Sequence, residues 1–326
     1  MILLGACAGW SLITAAVHDG RPEGVLLAVL AVAAGHAAGR VSGALLPVAA
    51  PGAGAAAGLA LAMALPALSA GPRYVAPLGH AGGTAALLTL ATGAACCAAW
   101  ATPVPELRLA LRALATGIVL TAAVLGSVAG CVASAAVLLW SLAMGWVSRR
   151  GGCLLGLAGA AALVAGTAWA LAGDVLPDGL ARVLEGRLTA PRVALWQDAL
   201  HLAGRNPGLG VGPGRFGEPG GPAPQTLSTL PADGKPHSAV LQLAAEQGLV
   251  GVSLCVAAYC WVLYALWRSP RSTPVALTAG AALTALAALA TVSNALSFTT
   301  VTVGAGLLAG WATARPWARD CVEPRT

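Results

Sequence analysis

Residues 248–267 read GLVGVSLCVAAYCWVLYALW, and Arg268 follows them. The stretch is twenty residues long and carries no charged side chain. A helix rises 1.5 Å per residue, so about 20 apolar residues cross a hydrocarbon core about 30 Å thick. The segment reads as a membrane span that ends at an arginine.

The same pattern recurs along the chain. Spans are expected at 1–17, 24–39, 52–70, 79–100, 109–126, 127–147, 151–172, 248–267, 275–293 and 298–314. This predicts an all-α, polytopic bundle of about ten spans, within a range of nine to eleven. Pro47 and Pro51 mark a loop or a kinked entry to the third span. A signal peptide is the alternative for residues 1–17, but they lack its basic start and cleavage box, so an uncleaved first span is expected there, and the direct start of the chain in a span is compatible with a shortened N-terminus. Composition agrees. Only 9% of the 326 residues are charged and 58% are hydrophobic, with a mean hydropathy of +0.79. A soluble domain carries about 25% charged residues, so a soluble enzyme and a disordered chain are both excluded. The eight cysteines sit in or beside apolar runs, which does not suggest a secreted disulfide framework. No internal repeat marks an inverted-repeat transporter.

Arginines set the direction. With the N-terminus inside, Arg40, Arg108, Arg112, Arg149, Arg150, Arg268, Arg271, Arg315, Arg319 and Arg325 face the cytoplasm, and the short outside loops hold only Arg21 and Arg73. This is the positive-inside pattern. It predicts a multi-pass protein of the cytoplasmic membrane with both termini cytoplasmic. The net charge of +6 thus points to the bilayer and not to nucleic acid. Three regions follow: a seven-span region over 1–172, an extracytoplasmic loop over 173–247, and a three-span region with a short tail over 248–326.

The loop holds most of the polar chemistry. PRVALWQDALHLAG, residues 191–204, reads as a short amphipathic helix. Pro191 suits its first turn, Arg192 and Trp196 share a face, and Leu195, Ala199 and Leu202 form an apolar stripe. Asn206-Pro207 stops it. GLGVGPGRFG, with glycines at 208, 210, 212, 214 and 217, is a tight turn outside any strand–turn–helix context, so no nucleotide site is expected. The next helix is expected to open at Pro236, with His237 and Ser238 in its first turn, where free N–H groups attract anions. Ser238, Gln242 and Glu246 then form one polar stripe, and Gly248 punctuates the entry to the membrane. An interfacial helix over 237–247 is expected, and one continuous helix over 237–267 is the rival. Arg192, Arg205, Arg215, Lys235 and His237 are candidates to line an outward cavity that takes a pyrophosphate. Histidine is the best general-base candidate. No acidic cluster suggests a metal, and no cofactor is expected. The bland readings are a solvated loop for Arg215 and Lys235, a surface pair for His201 and Asp198, and a structural role for the glycine run.

Two strings, RVALWQDALHLAGRNPGLGVGPGRF over 192–216 and HSAVLQLAAEQGLVG over 237–251, resemble the O-antigen ligase and O-antigen polymerase family of polytopic membrane proteins. Arg192, Trp196, Asn206, Pro207, Gly210, Gly212 and Phe216 fill the first pattern. His237, Leu241, Gln242, Glu246, Gly248 and Gly251 fill the second, and Gly214 lies within the glycine run. Residues 293–298 resemble the polar patch between the last two spans. Ser238 stands where the family usually carries Asn, and Ser127-Val128-Ala129-Gly130 lacks the arginine frequent at the start of a middle span.

The resemblance implies a GT-C-like membrane fold and a metal-independent glycosyltransferase working on the outer face of the inner membrane. The implied donor is a polyprenyl-pyrophosphate-linked glycan. Ligases of the family move the glycan to lipid A core, polymerases extend it, and relatives glycosylate pilins or other surface polymers. Carried over, Arg192 would hold the pyrophosphate, His237 would activate the acceptor or orient the donor, and Glu246 would support the helix or the acceptor site. A membrane transporter or exporter and a non-catalytic envelope assembly protein are the competing classes.

Overall fold

The computed structural model describes residues 2–68, 78–146, 149–173, 190–216, 237–315 and 317, without the side chains of 65–68, 78–81, 146 and 190–194. It is all-α. The helices are α1 (Ile2–His18), α2 (Glu23–Leu45), α3 (Ala49–Leu68), α4 (Leu78–Ala101), α5 (Pro105–Val124), α6 (Val128–Ala143), α7 (Arg150–Ala172), α8 (Ala190–Arg205), α9 (Ala239–Trp267), α10 (Thr273–Val292) and α11 (Thr299–Thr313). A helix bonds its own backbone internally, which lipid requires of any spanning segment. Each of the ten expected spans falls on one of these helices. Six of them, α2, α4, α5, α7, α9 and α10, are long and apolar enough to cross a membrane. α1, α6 and the first part of α3 are shorter apolar helices. The chain is a polytopic membrane bundle with six clear membrane-length helices, fewer than the ten spans expected.

Local sequence sets the helix ends. Pro105 opens α5, and the Ser127 hydroxyl caps α6 by accepting from the Gly130 N–H at 3.2 Å. Pro47 lies in the turn before α3 and Pro51 in its first helical turns.

Burial then sorts the helices. The most apolar stretches of α4 and α10 are 83% and 78% buried, against 17–22% for the other four long helices. Those two form the centre, and the others turn Leu30, Leu109, Leu120, Val132, Leu155 and Leu163 outward, as a lipid-facing belt requires.

Without a hydrophobic force between helices in lipid, close packing and interhelical hydrogen bonds must hold the bundle. α2 and α11 meet through glycine. A Cβ added at Gly35 would strike the Val303 carbonyl oxygen, one at Gly39 that of Leu307, and one at Gly306 that of Val32. The backbones touch because those side chains are absent. Elsewhere hydroxyls bridge helices. The Thr278 hydroxyl donates to the Ser141 hydroxyl at 3.1 Å, the Trp100 indole donates to the same oxygen at 3.0 Å, and Tyr259 and Thr284 share a bond of 2.7 Å.

The two ends of the bundle differ. At one end guanidinium groups cover exposed carbonyls. Arg150 donates to the Ser269 oxygen at 3.0 Å, Arg271 to that of Gly43 at 2.6 Å and Arg108 to that of Thr102 at 2.9 Å. Cations complement the negative ends of α2, α4 and α9 there. The other end carries α8 and the glycine turn.

Candidate functional site

α8 docks on the bundle through the stripe expected from its sequence. Leu195, Ala199 and Leu202 are buried, and so is Trp196 at 1% exposure. They pack with Leu171 and Ala172 of α7, Val211 and Phe216 of the glycine turn, and Leu241 and Ala245 of α9. Phe216 is also 1% exposed. The two aromatic residues of the first string thus form the core that joins the loop to the bundle. An aromatic ring buries roughly 150–250 Å², so this small core depends heavily on them.

The centre of the site is a break in α9. Gly248 sits at φ 67 and ψ −169 inside the helical run, a conformation essentially reserved for glycine. A continuous helix would bond the Leu249 N–H to the Ala245 carbonyl. Here the Leu249 N–H donates to the Pro207 carbonyl at 2.8 Å, and the Ala245 carbonyl accepts from the Val211 N–H at 2.9 Å. The Glu246 carbonyl accepts from the Gly212 N–H at 2.9 Å. The Gln247 carbonyl accepts from the Trp10 indole at 3.1 Å. Buried backbone groups must find partners, and the glycine turn and α1 supply them to the groups the break sets free.

The glycines permit this close approach of the turn to α9. A Cβ at Gly210 would lie 2.5 Å from the Glu246 carbonyl carbon, and one at Gly248 would overlap the Gly208 carbonyl oxygen. A Cβ at Gly251 would lie 2.5 Å from the Cβ of Gln247. Gly212 and Gly214 have φ of 97 and 78 and face His18 and Arg21 of the α1–α2 turn. The backbone N–H groups of Val211 and Gly212 are committed to α9, which is a structural use of the glycine run.

The start of α9 differs from expectation. The helix begins at Ala239, with Ser238 as its N-cap, its hydroxyl accepting from the Leu241 N–H at 3.5 Å. Ser238 is buried. His237 precedes the cap, half-buried, at φ 45. Pro236 and Lys235 lie outside the described residues, and the first turn opens after Ser238, whose side chain caps it. Of the expected polar stripe, Ser238 is the cap and Gln242 pairs with Glu246. The Gln242 amide donates to Glu246 Oε1 at 3.1 Å, and Glu246 is 6% exposed.

The described candidate cations have separate surroundings. Arg192 occupies the first turns of α8, with its side chain outside the description. Arg205 is exposed at the end of α8. It lines an open groove with Gln197, Leu200, His201 and Gly204, which does not include His237. Arg215 donates to the His18 carbonyl at 2.7 Å. Burial pushes the Asp198 carboxyl above the ordinary carboxylate range, with His201 opposing the rise. Among the described residues no group of three or more His, Cys, Asp or Glu could hold a metal ion.

One further feature was not foreseen. Trp10 reaches the break from α1, and a tryptophan inside an apolar run gives no signal of that role. Val128, where the family's arginine is missing, is 75% exposed one residue after the α6 cap. The patch after α10 forms a short 3-10 turn over Ala295–Ser297, and Phe298 covers Gly83.

No curated protein and no solved structure matches the chain. Residues 109–256, a little under half of it, match the family model described as O-Antigen ligase. That stretch runs from α5 into α9 and holds α8, the glycine turn, His237 and the broken helix, and over it the resemblance to the O-antigen ligase family is borne out.

Proposed function

We propose that this chain is a membrane glycosyltransferase that moves or polymerises a glycan from a polyprenyl-pyrophosphate carrier at the outer face of the cytoplasmic membrane. The family match over residues 109–256 carries this reading, because it contains both motif strings whole. The ten helices that fall on the expected spans act as ten crossings in a GT-C-like arrangement. The arginine-rich end faces the cytoplasm, as the positive-inside pattern supports, and the glycine-turn end faces out.

In the proposed step an acceptor hydroxyl attacks the anomeric carbon of the carrier-linked sugar. A new glycosidic C–O bond forms, the C–O bond to pyrophosphate breaks, and polyprenyl pyrophosphate leaves. His237 takes the hydroxyl proton as general base. Arg192 holds the pyrophosphate, and its charge together with the positive end of α9 favours the anion that develops. Arg205, Arg215 and Lys235 add to the binding surface, while Ser238, Gln242 and Glu246 keep the start of α9 and the acceptor side in place. The step requires no metal. Ligation and polymerisation share this chemistry and differ in the acceptor.

A deletion strain separates the readings. It would be complemented with wild type, Arg192→Ala or His237→Ala, and surface polymer and carrier-linked glycan would be sized side by side. Long chains stranded on the carrier and rescued only by wild type mean a ligase, and single units without long chains mean a polymerase. Unchanged pools would overturn the transferase reading in favour of a transporter or an assembly protein.

A further inference from the structure

At the arginine-rich end, a groove of about 430 Å³ is lined by Arg40, Val41, Ala44 and Leu45 of α2 and by Arg315 and Trp317 after α11. The segment after α11 is tied to α2, since the Trp317 N–H donates to the Ala44 carbonyl at 3.2 Å. The glycine contact between α2 and α11 continues into the same corner, where a Cβ at Gly310 would lie 2.8 Å from the Arg40 nitrogen. The groove is therefore built where the backbones of α2 and α11 meet through glycine.

Its lining is mixed in a particular way. Both arginines are exposed, and among the described residues no carboxylate lines the groove and neither guanidinium has a hydrogen bond. Beside them Val41, Leu45 and Trp317 are 62%, 57% and 75% exposed. The exposed Leu27 and Leu30 continue this apolar strip along α2 toward its other end. Paired guanidinium groups recognise phosphate oxygens. Indole rings belong at the level of lipid headgroups, and an apolar strip along a spanning helix fits an acyl chain.

We propose that this groove binds an anionic phospholipid. Arg40 and Arg315 hold its phosphodiester, Trp317 sits at the headgroup level, and an acyl chain lies along Val41 and Leu45. The lipid fastens the end of α11 to α2 and sets its negative charge against the two guanidinium groups. The apolar lining argues for a lipid over a free phosphate ion. This site is remote from the glycine turn and stands independently of the transferase reading.

Native mass spectrometry of the purified, delipidated full chain tests it. Phosphatidylglycerol, phosphatidylcholine and inorganic phosphate serve as separate probes. Wild type should hold phosphatidylglycerol and release phosphatidylcholine at the same activation energy. The double variant Arg40→Gln/Arg315→Gln should lose about tenfold or more of the phosphatidylglycerol affinity. Arg149→Gln, an exposed arginine of the same end outside the groove, should stay near wild type. Equal retention of the two lipids by wild type would overturn the proposal without any variant. So would full binding by the double variant, an equal loss in Arg149→Gln, or displacement of the lipid by millimolar phosphate.

Discussion

Trp10 and Gln247 are 237 positions apart in sequence, and the indole N–H of one donates to the main-chain carbonyl of the other at 3.1 Å. That carbonyl is free because α9 breaks at Gly248. In water such a group would be solvated, but beside a membrane span it needs a protein donor. Trp10→Phe keeps the ring and removes the donor. The variant should lose about 1–3 kcal/mol, the cost of a buried unpaired carbonyl. The thermal unfolding midpoint of the purified protein measures this, and an unchanged midpoint would mean that another donor replaces the indole.

The glycines of the site should differ sharply from one another. Gly248→Ala forces a side chain into a backbone region that costs about 1–3 kcal/mol, and it also meets the Gly208 carbonyl. Gly210→Ala meets the Glu246 carbonyl carbon at 2.5 Å. Gly208→Ala meets nothing within 4 Å. The first two variants should express poorly or unfold early, while the third should match wild type in yield and glycan transfer. Equal tolerance at all three positions would contradict the hydrogen-bonding account of the break.

Ser238 caps α9 directly after His237. Ser238→Ala should cost about 1 kcal/mol, and it should also lower glycan transfer because the helix start beside His237 loses its cap. Ser238→Thr keeps a capping hydroxyl and should recover part of both. Thermal stability and transfer measured together distinguish this from a residue that matters to neither.

Asp198 gives a pH signature. Its carboxyl is raised in the folded protein by burial, so the native state holds the proton more tightly than the unfolded chain does. That contribution is fully present below the unfolded value of about 4 and is lost as pH rises through the folded value. Asp198→Asn lacks it. The stability of the variant relative to wild type should therefore improve from acid to neutral pH. The midpoint of the variant minus that of wild type should rise across that range, and a constant difference would remove the burial explanation.

Much of this arrangement was legible in the residues. Long uncharged runs cannot do otherwise than form helices in lipid, so every expected span met a helix. Crossing length was harder to read, because Ala-rich and Gly-rich runs such as 128–143 are apolar without being long. The stripe of Leu195, Ala199 and Leu202 followed from helical period, and Gly248 followed from its place between a polar stripe and an apolar span. The helix expected from 237 begins at Ala239, two residues later, because the Ser238 hydroxyl caps it. The exchange of carbonyl partners between α9 and the glycine turn is a long-range fact that no local pattern carries. Trp10 resembles any lipid-facing aromatic until the break at Gly248 is in view.

The most direct test of the central claim is carrier turnover by the purified protein in liposomes. These would contain the polyprenyl-pyrophosphate-linked glycan and envelope extract from the deletion strain as acceptor. Wild type should release polyprenyl pyrophosphate in step with new glycosylated acceptor, and Arg192→Ala and His237→Ala should release almost none while keeping the wild-type unfolding midpoint. Intact carrier-linked glycan crossing the bilayer without release, or full turnover by both variants, would contradict the account.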